Sequence, residues 1–281
     1  MGSIAIIGTG RLGATLALAL HRQGVEIAMV ANRSAASAQQ LAAQLGSCRS
    51  VTANEAAQAD LVFLTVPDDA LAPTAAQLPW RHGQAVVHCS GATEVSVLQP
   101  AADAGAQICG FHPLQIFSDP ARALELIAGS SVAIEGPPEL EAQLQHLAGL
   151  LGMHPIRLPP GARVLYHGGA SYAASFLLSM LKEAVAAWRS FGVDEAQALQ
   201  ALLPLAQGTL AAAASKGLSA AVAGPVSRGD AGVIARHLAA FEALGPEHAA
   251  LYREMTRRQL GLVQATQRLS DEQVRRVRGV L

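Results

Sequence analysis

A short apolar stretch near the start of the chain leads directly into a glycine-rich turn and then into a helical pattern. The apolar stretch covers residues 3–7, and Gly8, Gly10 and Gly13 follow it as G-x-G-x-x-G. In a strand–turn–helix the first glycine allows the tight turn, the second lets a pyrophosphate approach the backbone, and the third lets helix and strand pack closely. With a second apolar stretch at residues 26–31, the pattern predicts a β-α-β unit that binds a dinucleotide.

The phosphates of such a ligand lie on free N–H groups at the helix N-terminus, where the helix dipole favours negative charge. We therefore expect the whole turn to bind the cofactor. Its residues are Gly8, Thr9, Gly10, Arg11, Leu12 and Gly13.

The residues after the second stretch indicate which dinucleotide is bound. A site that prefers NAD usually has Asp or Glu at this place, whereas an NADP site has polar and basic groups that accept a phosphate. The chain has Asn32, Arg33 and Ser34 here, without a carboxylate. Arg33 can pair with the 2'-phosphate and stack on adenine, and Ser34 can also cap the next helix. The sequence predicts NADP(H).

The chain divides into two parts by its pattern of elements. Residues 1–160 alternate apolar strands with Ala-rich helices, which is typical of a doubly wound, mostly parallel α/β sheet of the Rossmann type. One of the expected strands covers residues 107–110. Residues 161–281 contain only helical patterns, beginning with one long helix over residues 162–191 and interrupted by a rigid loop over residues 224–230. The length suits a dinucleotide-binding domain followed by an all-helical domain.

In an open sheet of this type, ligands bind at the carboxyl ends of the strands where the strand order reverses. This rule places the first turn opposite Val66, Pro67 and Asp68, with Ser90 and Gly91 beside them. We expect all five residues to contribute to the cofactor site. Asp68 also suits the first turn of a helix, because the helix dipole favours acids there.

Composition excludes several classes of function. The formal net charge is −1 and the calculated pI is about 6.8, so a nucleic-acid or anionic-membrane surface is not expected. No apolar run is long enough to span a membrane. Cys48, Cys89 and Cys109 are an odd number without metal-type pairing, so we expect neither a disulfide framework nor a metal site. Cytoplasmic localisation is the expectation.

Reduction of a carbonyl group needs a proton donor near neutral pH, and histidine is the side chain best matched to that task. His112 is expected at the end of its strand, where sheet residues reach the ligand site. His167 begins a polar stripe with Ser171 and Ser175 at helical spacing. His88, inside a strand, is interpreted as structural.

Several motifs of the chain resemble one known family. They are the glycine-rich turn, Val66-Pro67-Asp68, residues 88–92 (HCSGA), residues 111–115 (FHPLQ), Tyr166-His167 and residues 224–230 (GPVSRGD). Together they are similar to Rossmann-like oxidoreductases whose helical C-terminal half was long catalogued as a domain of unknown function. That family is similar to the 6-phosphogluconate dehydrogenase-like superfamily, which includes pyrroline-5-carboxylate, ketopantoate and deazaflavin-dependent NADP reductases.

The resemblance implies an NADP-binding domain, an all-helical domain that forms a homodimer, and a substrate cleft between the domains. It makes a ketopantoate-like compound a reasonable substrate. Two positions depart from the pattern. Hydroxyacid dehydrogenases of the superfamily use a lysine near the start of the helical domain, whereas this chain has only Lys182 and Lys216, and His167 is nearer the expected place. Ser175 stands where Asn is expected.

The leading hypothesis is an NADPH-dependent reductase of a small oxo-acid or imine. His167 or His112 would donate the proton, while Ser90, Gln115, Ser171 and Ser175 would contact or position the substrate. A second hypothesis, favoured by the missing lysine, is that the protein is a non-catalytic sensor that binds NADPH. Hydride exchange with a deazaflavin or flavin is a third hypothesis.

Overall fold

The computed structural model describes residues 2–281, apart from the side chains of residues 120 and 121. The chain separates into two compact units, residues 1–171 and 172–281. The first helical turn after residue 160, the predicted domain boundary, is bonded to the sheet, as described below.

The first unit contains an eight-stranded sheet with the order β3-β2-β1-β4-β5-β6-β7-β8. Neighbouring strands are parallel except β6 and β7, which are antiparallel. The strands are β1 (Ile4–Ile7), β2 (Met29–Ala31), β3 (Arg49–Ser50), β4 (Leu61–Leu64), β5 (Ala85–His88), β6 (Gln107–Leu114), β7 (Ser131–Glu135) and β8 (His154–Arg157). The sheet confirms the predicted Rossmann-type fold, and the strand order reverses between β1 and β4.

Helices cover both faces of the sheet. Alternate residues of β1 point to opposite sides, so Ile4 and Ile6 join one apolar core while Ala5 and Ile7 join another. The helices of this unit are α1 (Arg11–Arg22), α2 (Ala35–Ala42), α3 (Ala53–Ala56), α4 (Asp68–Gln77), α5 (Gln99–Asp103), α6 (Pro120–Leu126), α7 (Pro138–Leu150) and α8 (Arg163–Ala173), the last of which ends just past the unit boundary. The strands are packed between these two cores. The candidate site lies at the ends of these strands.

The second unit is entirely helical, in agreement with the sequence. Its helices are α9 (Ser175–Arg189), α10 (Glu195–Lys216), α11 (Leu218–Ala221), α12 (Pro225–Arg228), α13 (Ala231–Leu244), α14 (Pro246–Gln264) and α15 (Asp271–Gly279). Asp194 accepts a hydrogen bond from the Gln197 amide, and Ser270 forms a capping box with Gln273. These caps satisfy free amide groups at the starts of α10 and α15.

Three local expectations are wrong. The predicted single helix over residues 162–191 is two helices, because the backbone of Ala174 leaves the helical region at φ −116° and ψ −94°. The strand expected to end at residue 110 continues to Leu114, because β7 supplies an antiparallel partner for Gly110–Leu114. The loop over residues 224–230 contains the one-turn helix α12, which ends at Gly229 in the left-handed region.

Candidate functional site

The glycine-rich turn connects β1 to α1. Gly8 has φ +106°, a conformation that L side chains rarely adopt. A Cβ on Gly13 would collide with the Gly8 carbonyl oxygen and with Thr65 Oγ1, whereas a Cβ on Gly10 would meet open space. Gly13 therefore allows close packing and Gly10 leaves room for a ligand, as the glycine spacing predicts.

Two further observations show that this turn suits a phosphate. The N-cap residue of α1 is Gly10, which has no side chain to occupy the free amide groups of the first turn. The Thr9 hydroxyl oxygen is buried and has no hydrogen-bond partner among the described residues. A pyrophosphate oxygen would satisfy both sets of donors.

The end of β2 carries the residues expected at the 2'-position of the ribose. Arg33 is exposed, and the Asn32 side-chain oxygen accepts a hydrogen bond from the Arg33 amide at 2.9 Å. Ser34 is the N-cap of α2, with its hydroxyl 3.4 Å from the Ser37 amide. The exposed Arg33 guanidinium can therefore bind a phosphate group, while the Ser34 hydroxyl caps α2.

A cavity of about 900 Å³ lies at the point where the strand order reverses. The glycine-rich turn, the end of β2 and the start of α4 contribute its lining. The residues that line it include Gly8, Gly10, Arg11, Leu12, Asn32, Arg33, Val66, Pro67 and Asp69. Asp68 is in the first turn of α4, where the sequence places it, but the cavity lining includes its neighbour Asp69. The cavity has the position and donor groups that a dinucleotide needs.

The segment after β5 lies beside this cavity in the sheet order. Ser90 is almost fully buried and all of its polar groups are engaged: its hydroxyl contacts the Thr93 hydroxyl and amide, and its amide donates to His88 Nδ1. Its carbonyl oxygen accepts from Arg163. The structure therefore places Ser90 as a residue that orders the loop.

His112, Tyr166 and His167 come together over Gly91. Nδ1 of His112 lies 3.0 Å from the Tyr166 hydroxyl, and the rings of His112 and His167 have centroids 5.8 Å apart. A Cβ on Gly91 would collide with His167 and would come within 2.9 Å of His112 Nε2. Glycine at residue 91 is thus needed for the two rings to meet here.

Burial keeps two histidines neutral. It lowers the pKa of His112 to about 4, with smaller contributions from His167 and Arg163. It lowers the pKa of His88 to about 3, again with smaller contributions from Arg163 and His112. At neutral pH the His112 ring therefore has one N–H group, which can donate a hydrogen bond to an oxygen that gains negative charge.

A buried ion pair supports this group. Arg163 is fully buried; its Nε donates to Glu135 at 2.6 Å and its Nη1 donates to the Ser90 carbonyl at 2.8 Å. Burial raises the pKa of Glu135, and the adjacent guanidinium opposes that effect. A Cβ on Gly110 would collide with Arg163 Nη2, so glycine is required beneath the guanidinium.

Gln115 and Ser171, two further predicted substrate residues, bond to their own surroundings. The Gln115 side chain donates to the Leu126 carbonyl at 3.2 Å and accepts from the Ile116 amide. The Ser171 hydroxyl donates to the His167 carbonyl within α8, at 3.4 Å. Ser175 begins α9 beyond the break at Ala174, so helical spacing no longer relates it to His167.

Sequence reasoning missed Tyr166, Arg163 and Glu135 as site residues. Tyr166 belongs to a recognised motif, but only its contact with His112 gives it a role. Arg163 and Glu135 have no local signal, since their partners are distant in the chain. The described residues contain no group of three or more metal-type ligands, and none of the described helices could cross a membrane.

Comparison with known proteins agrees with this architecture. Residues 2–113 match the family model described as a Rossmann-like domain, and residues 130–259 match the model described as a domain of unknown function, DUF2520. These two matches agree with the family that the motifs resemble. No curated protein gives a significant sequence match.

Three solved structures illustrate the fold. Protein TM1727 from Thermotoga maritima is 22% identical, with a TM-score of 0.79 over 94% of this chain and 99% of that chain. The "putative NADP oxidoreductase BF3122" from Bacteroides fragilis is 25% identical, with a TM-score of 0.72 over 92% and 98%. A reductive aminase from Aspergillus terreus, in complex with NADPH and ethyl-5-oxohexanoate, is 20% identical, with a TM-score of 0.68 over 95% and 99%.

Proposed function

We propose that this protein is an NADP(H)-dependent oxidoreductase that reduces the C=O or C=N group of a small oxo-acid or imine, with a ketopantoate-like compound as the first candidate. The proposal depends on the group of His112, Tyr166 and His167 near Gly91. Gly91 follows β5, the strand next in the sheet to β4, whose end lines the dinucleotide cavity. The structural relatives described as an NADP oxidoreductase and as a reductive aminase with NADPH support the same class.

The residues at the cavity suit NADP(H). The α1 N-terminus and the Thr9 hydroxyl would bind the pyrophosphate, and Arg33 would pair with the 2'-phosphate. Bound there, the reduced nicotinamide supplies a hydride. Leu12, Val66 and Pro67 contribute apolar wall to the same cavity.

Tyr166, His112 and His167 have different roles in the proposed reduction. We assign the Tyr166 hydroxyl as the donor and His112 Nδ1 as the acceptor of their 3.0 Å contact. This assignment leaves the hydrogen of the neutral ring on Nε2. The Nε2–H group donates to the substrate oxygen or nitrogen and stabilises the negative charge that develops on it. His167 is exposed, so its ring can take a proton from solvent and deliver it to the product.

The test is a panel of oxo-acids and imines that begins with ketopantoate and pyrroline-5-carboxylate, with loss of NADPH absorbance as the readout. We expect turnover with a member of the panel. His167→Gln should lower kcat by about 100-fold, because a positioned general acid contributes about that much, and should leave the NADPH Kd unchanged. His154→Gln, an exposed histidine on β8, is the matched control.

Two outcomes would change the proposal. An unchanged kcat in His167→Gln would remove His167 from the mechanism. Tight NADPH binding without turnover across the panel would favour the non-catalytic sensor.

We also propose that the chain forms a homodimer through its helical unit. The family resemblance implies this assembly, and α10 supports it, because Ala198 and Leu202 are its buried residues while Leu203 and Leu210 are 44% and 58% exposed. Leu203 and Leu210 are seven residues apart and share one face of the helix. Exposed leucines on a common face are typical of a surface that a second copy covers.

A further inference from the structure

Arg163 is the first residue of α8, and it connects that helix to three strands. Its guanidinium bonds to Glu135 at the end of β7 and to Ser90 after β5, and it lies against Gly110 of β6. Its side chain is the largest among the fully buried ones that the structure describes. A guanidinium placed this way fixes the start of the helix with the planar geometry that lysine lacks.

Tyr166 and His167 follow Arg163 by three and four residues, so all three share one face of α8. Gly110 and His112 are two residues apart in β6 and share one face of the strand. The first turn of α8 therefore contacts the same strand face at two points. Arg163 lies over Gly110, and Tyr166 lies over His112.

The first contact is buried and made of two hydrogen bonds, whereas the second is a single hydrogen bond. Arg163 makes its bonds at 2.6 and 2.8 Å within a buried environment, whereas Tyr166 reaches His112 at 3.0 Å and both side chains are partly exposed. A small rotation of α8 about its axis would break the Tyr166 bond first. The position of Tyr166 thus depends on the Arg163 bonds.

We infer that Arg163, through its ion pair with Glu135, is a positioning residue that holds the Tyr166 hydroxyl on His112 Nδ1 and so selects the ring tautomer with hydrogen on Nε2. The role in reduction rests on the proposed function. The effect on the His112 ring does not, since it is a property of the chain without cofactor.

The test uses the full-length chain labelled with ¹⁵N, with the ring nitrogens of His112 observed by NMR and assigned with His112→Gln. In the unsubstituted chain we expect one tautomer, with hydrogen on Nε2. Tyr166→Phe should mix the two tautomers. Arg163→Lys keeps the charge and loses the planar contacts, so it should shift the His112 nitrogens in the same way as Tyr166→Phe.

The double variant, Arg163→Lys with Tyr166→Phe, distinguishes positioning from general stabilisation. If Arg163 acts through Tyr166, the double variant should match either single variant in its His112 shifts. With an active substrate, each single variant should lower kcat by about tenfold, the worth of one hydrogen bond, and the double variant should lower it no further. Additive effects would overturn the inference.

Two further variants show whether a change at His112 is specific to the Arg163–Glu135 pair. Arg157→Lys changes an exposed arginine that pairs with Glu141 in the same unit, and it should leave His112 unchanged. Glu135→Gln keeps the shape of the side chain but removes the charge that pairs with Arg163, so it should also shift the His112 nitrogens, and it serves if Arg163→Lys does not fold. Unchanged His112 nitrogens in folded Arg163→Lys or in folded Glu135→Gln would overturn the inference. Absence of turnover in the unsubstituted chain would count against the proposed function only.

Discussion

At the residue scale, the proposed preference for NADP(H) depends on Arg33, the exposed cation at the end of β2. The residues around it supply hydrogen-bonding groups, and no carboxylate lies in the segment of residues 31–35. A 2'-phosphate would therefore find a cation without a competing negative charge, as the sequence indicates.

Arg33→Ala should raise the Kd of NADPH by about 10- to 100-fold, because a charge-assisted hydrogen bond contributes about 1.5–3 kcal/mol. The Kd of NADH should change little, since NADH lacks the 2'-phosphate. Titration of both nucleotides by calorimetry checks this. Arg22→Ala, an exposed arginine at the end of α1, is the matched control. Equal NADPH and NADH affinities in the unsubstituted chain would contradict the assignment.

His88 gives the first unit a pH dependence. Its pKa is lowered from 6.5 to about 3, chiefly by burial, so the unfolded chain takes up a proton that the folded chain rejects between these values. Stability therefore falls as the pH falls below about 6.5, and the loss is complete near pH 3.

His88→Asn should remove this contribution while it keeps an acceptor for the Ser90 amide. Between about pH 7 and about pH 5.5 the unsubstituted chain should lose about 1 kcal/mol more unfolding free energy than the variant. Urea unfolding at the two pH values measures the difference. His146→Asn, an exposed histidine on α7, should behave like the unsubstituted chain. An identical acid-side loss in His88→Asn would show that another group titrates.

At the element scale, the helices are set by local signals and the long strand is not. Ser34 caps α2 as the sequence predicts, and Asp194 and Ser270 cap α10 and α15 in the same way. Such a cap depends only on residues three positions away. The extension of β6 to Leu114 depends on pairing with β7, more than fifteen residues further along. No local pattern could indicate that partner.

The exposed Leu203 and Leu210 place the proposed dimer contact on helix α10. Leu203→Glu together with Leu210→Glu should convert the proposed homodimer to a monomer, because two charges on the covered face would have to lose their hydration. Light scattering after size-exclusion chromatography measures the mass. Ala201→Glu adds charge on the opposite side of the same helix and should leave the dimer intact. A dimer that survives the double substitution would place the interface elsewhere.

In the whole molecule, bonds to the sheet hold the start of α8 in the first unit. The sequence pattern changes at residue 160, whereas the compact units divide after residue 171. The interval contains Arg163, Tyr166 and His167, which contact the sheet.

A fragment of residues 1–171 should therefore be more stable than a fragment of residues 1–160. The shorter fragment leaves Glu135 buried without its cation, and removal of one partner from a buried pair costs about 3 kcal/mol or more. Urea unfolding of the two fragments measures the difference. Residues 1–171 with Glu135→Gln and residues 1–160 with Glu135→Gln should differ by less, because an amide needs no counter-charge. Equal stability of the two unsubstituted fragments would show that the Arg163 bonds do not contribute.

The sequence by itself determined the dinucleotide turn, the residues after β2, the Rossmann-type strand order and the helical second half. Each of these depends on neighbours in the chain or on the general rules for joining strands and helices. The hydrogen bond between Tyr166 and His112 joins residues 54 positions apart, and the ion pair between Arg163 and Glu135 joins residues 28 positions apart. These contacts could be found only in the tertiary structure. Such pairs form because folding brings strand ends and a helix turn together at one edge of the sheet. The glycine-rich turn can thus be recognised from its own spacing, whereas the group that would act on the substrate exists only in the folded chain.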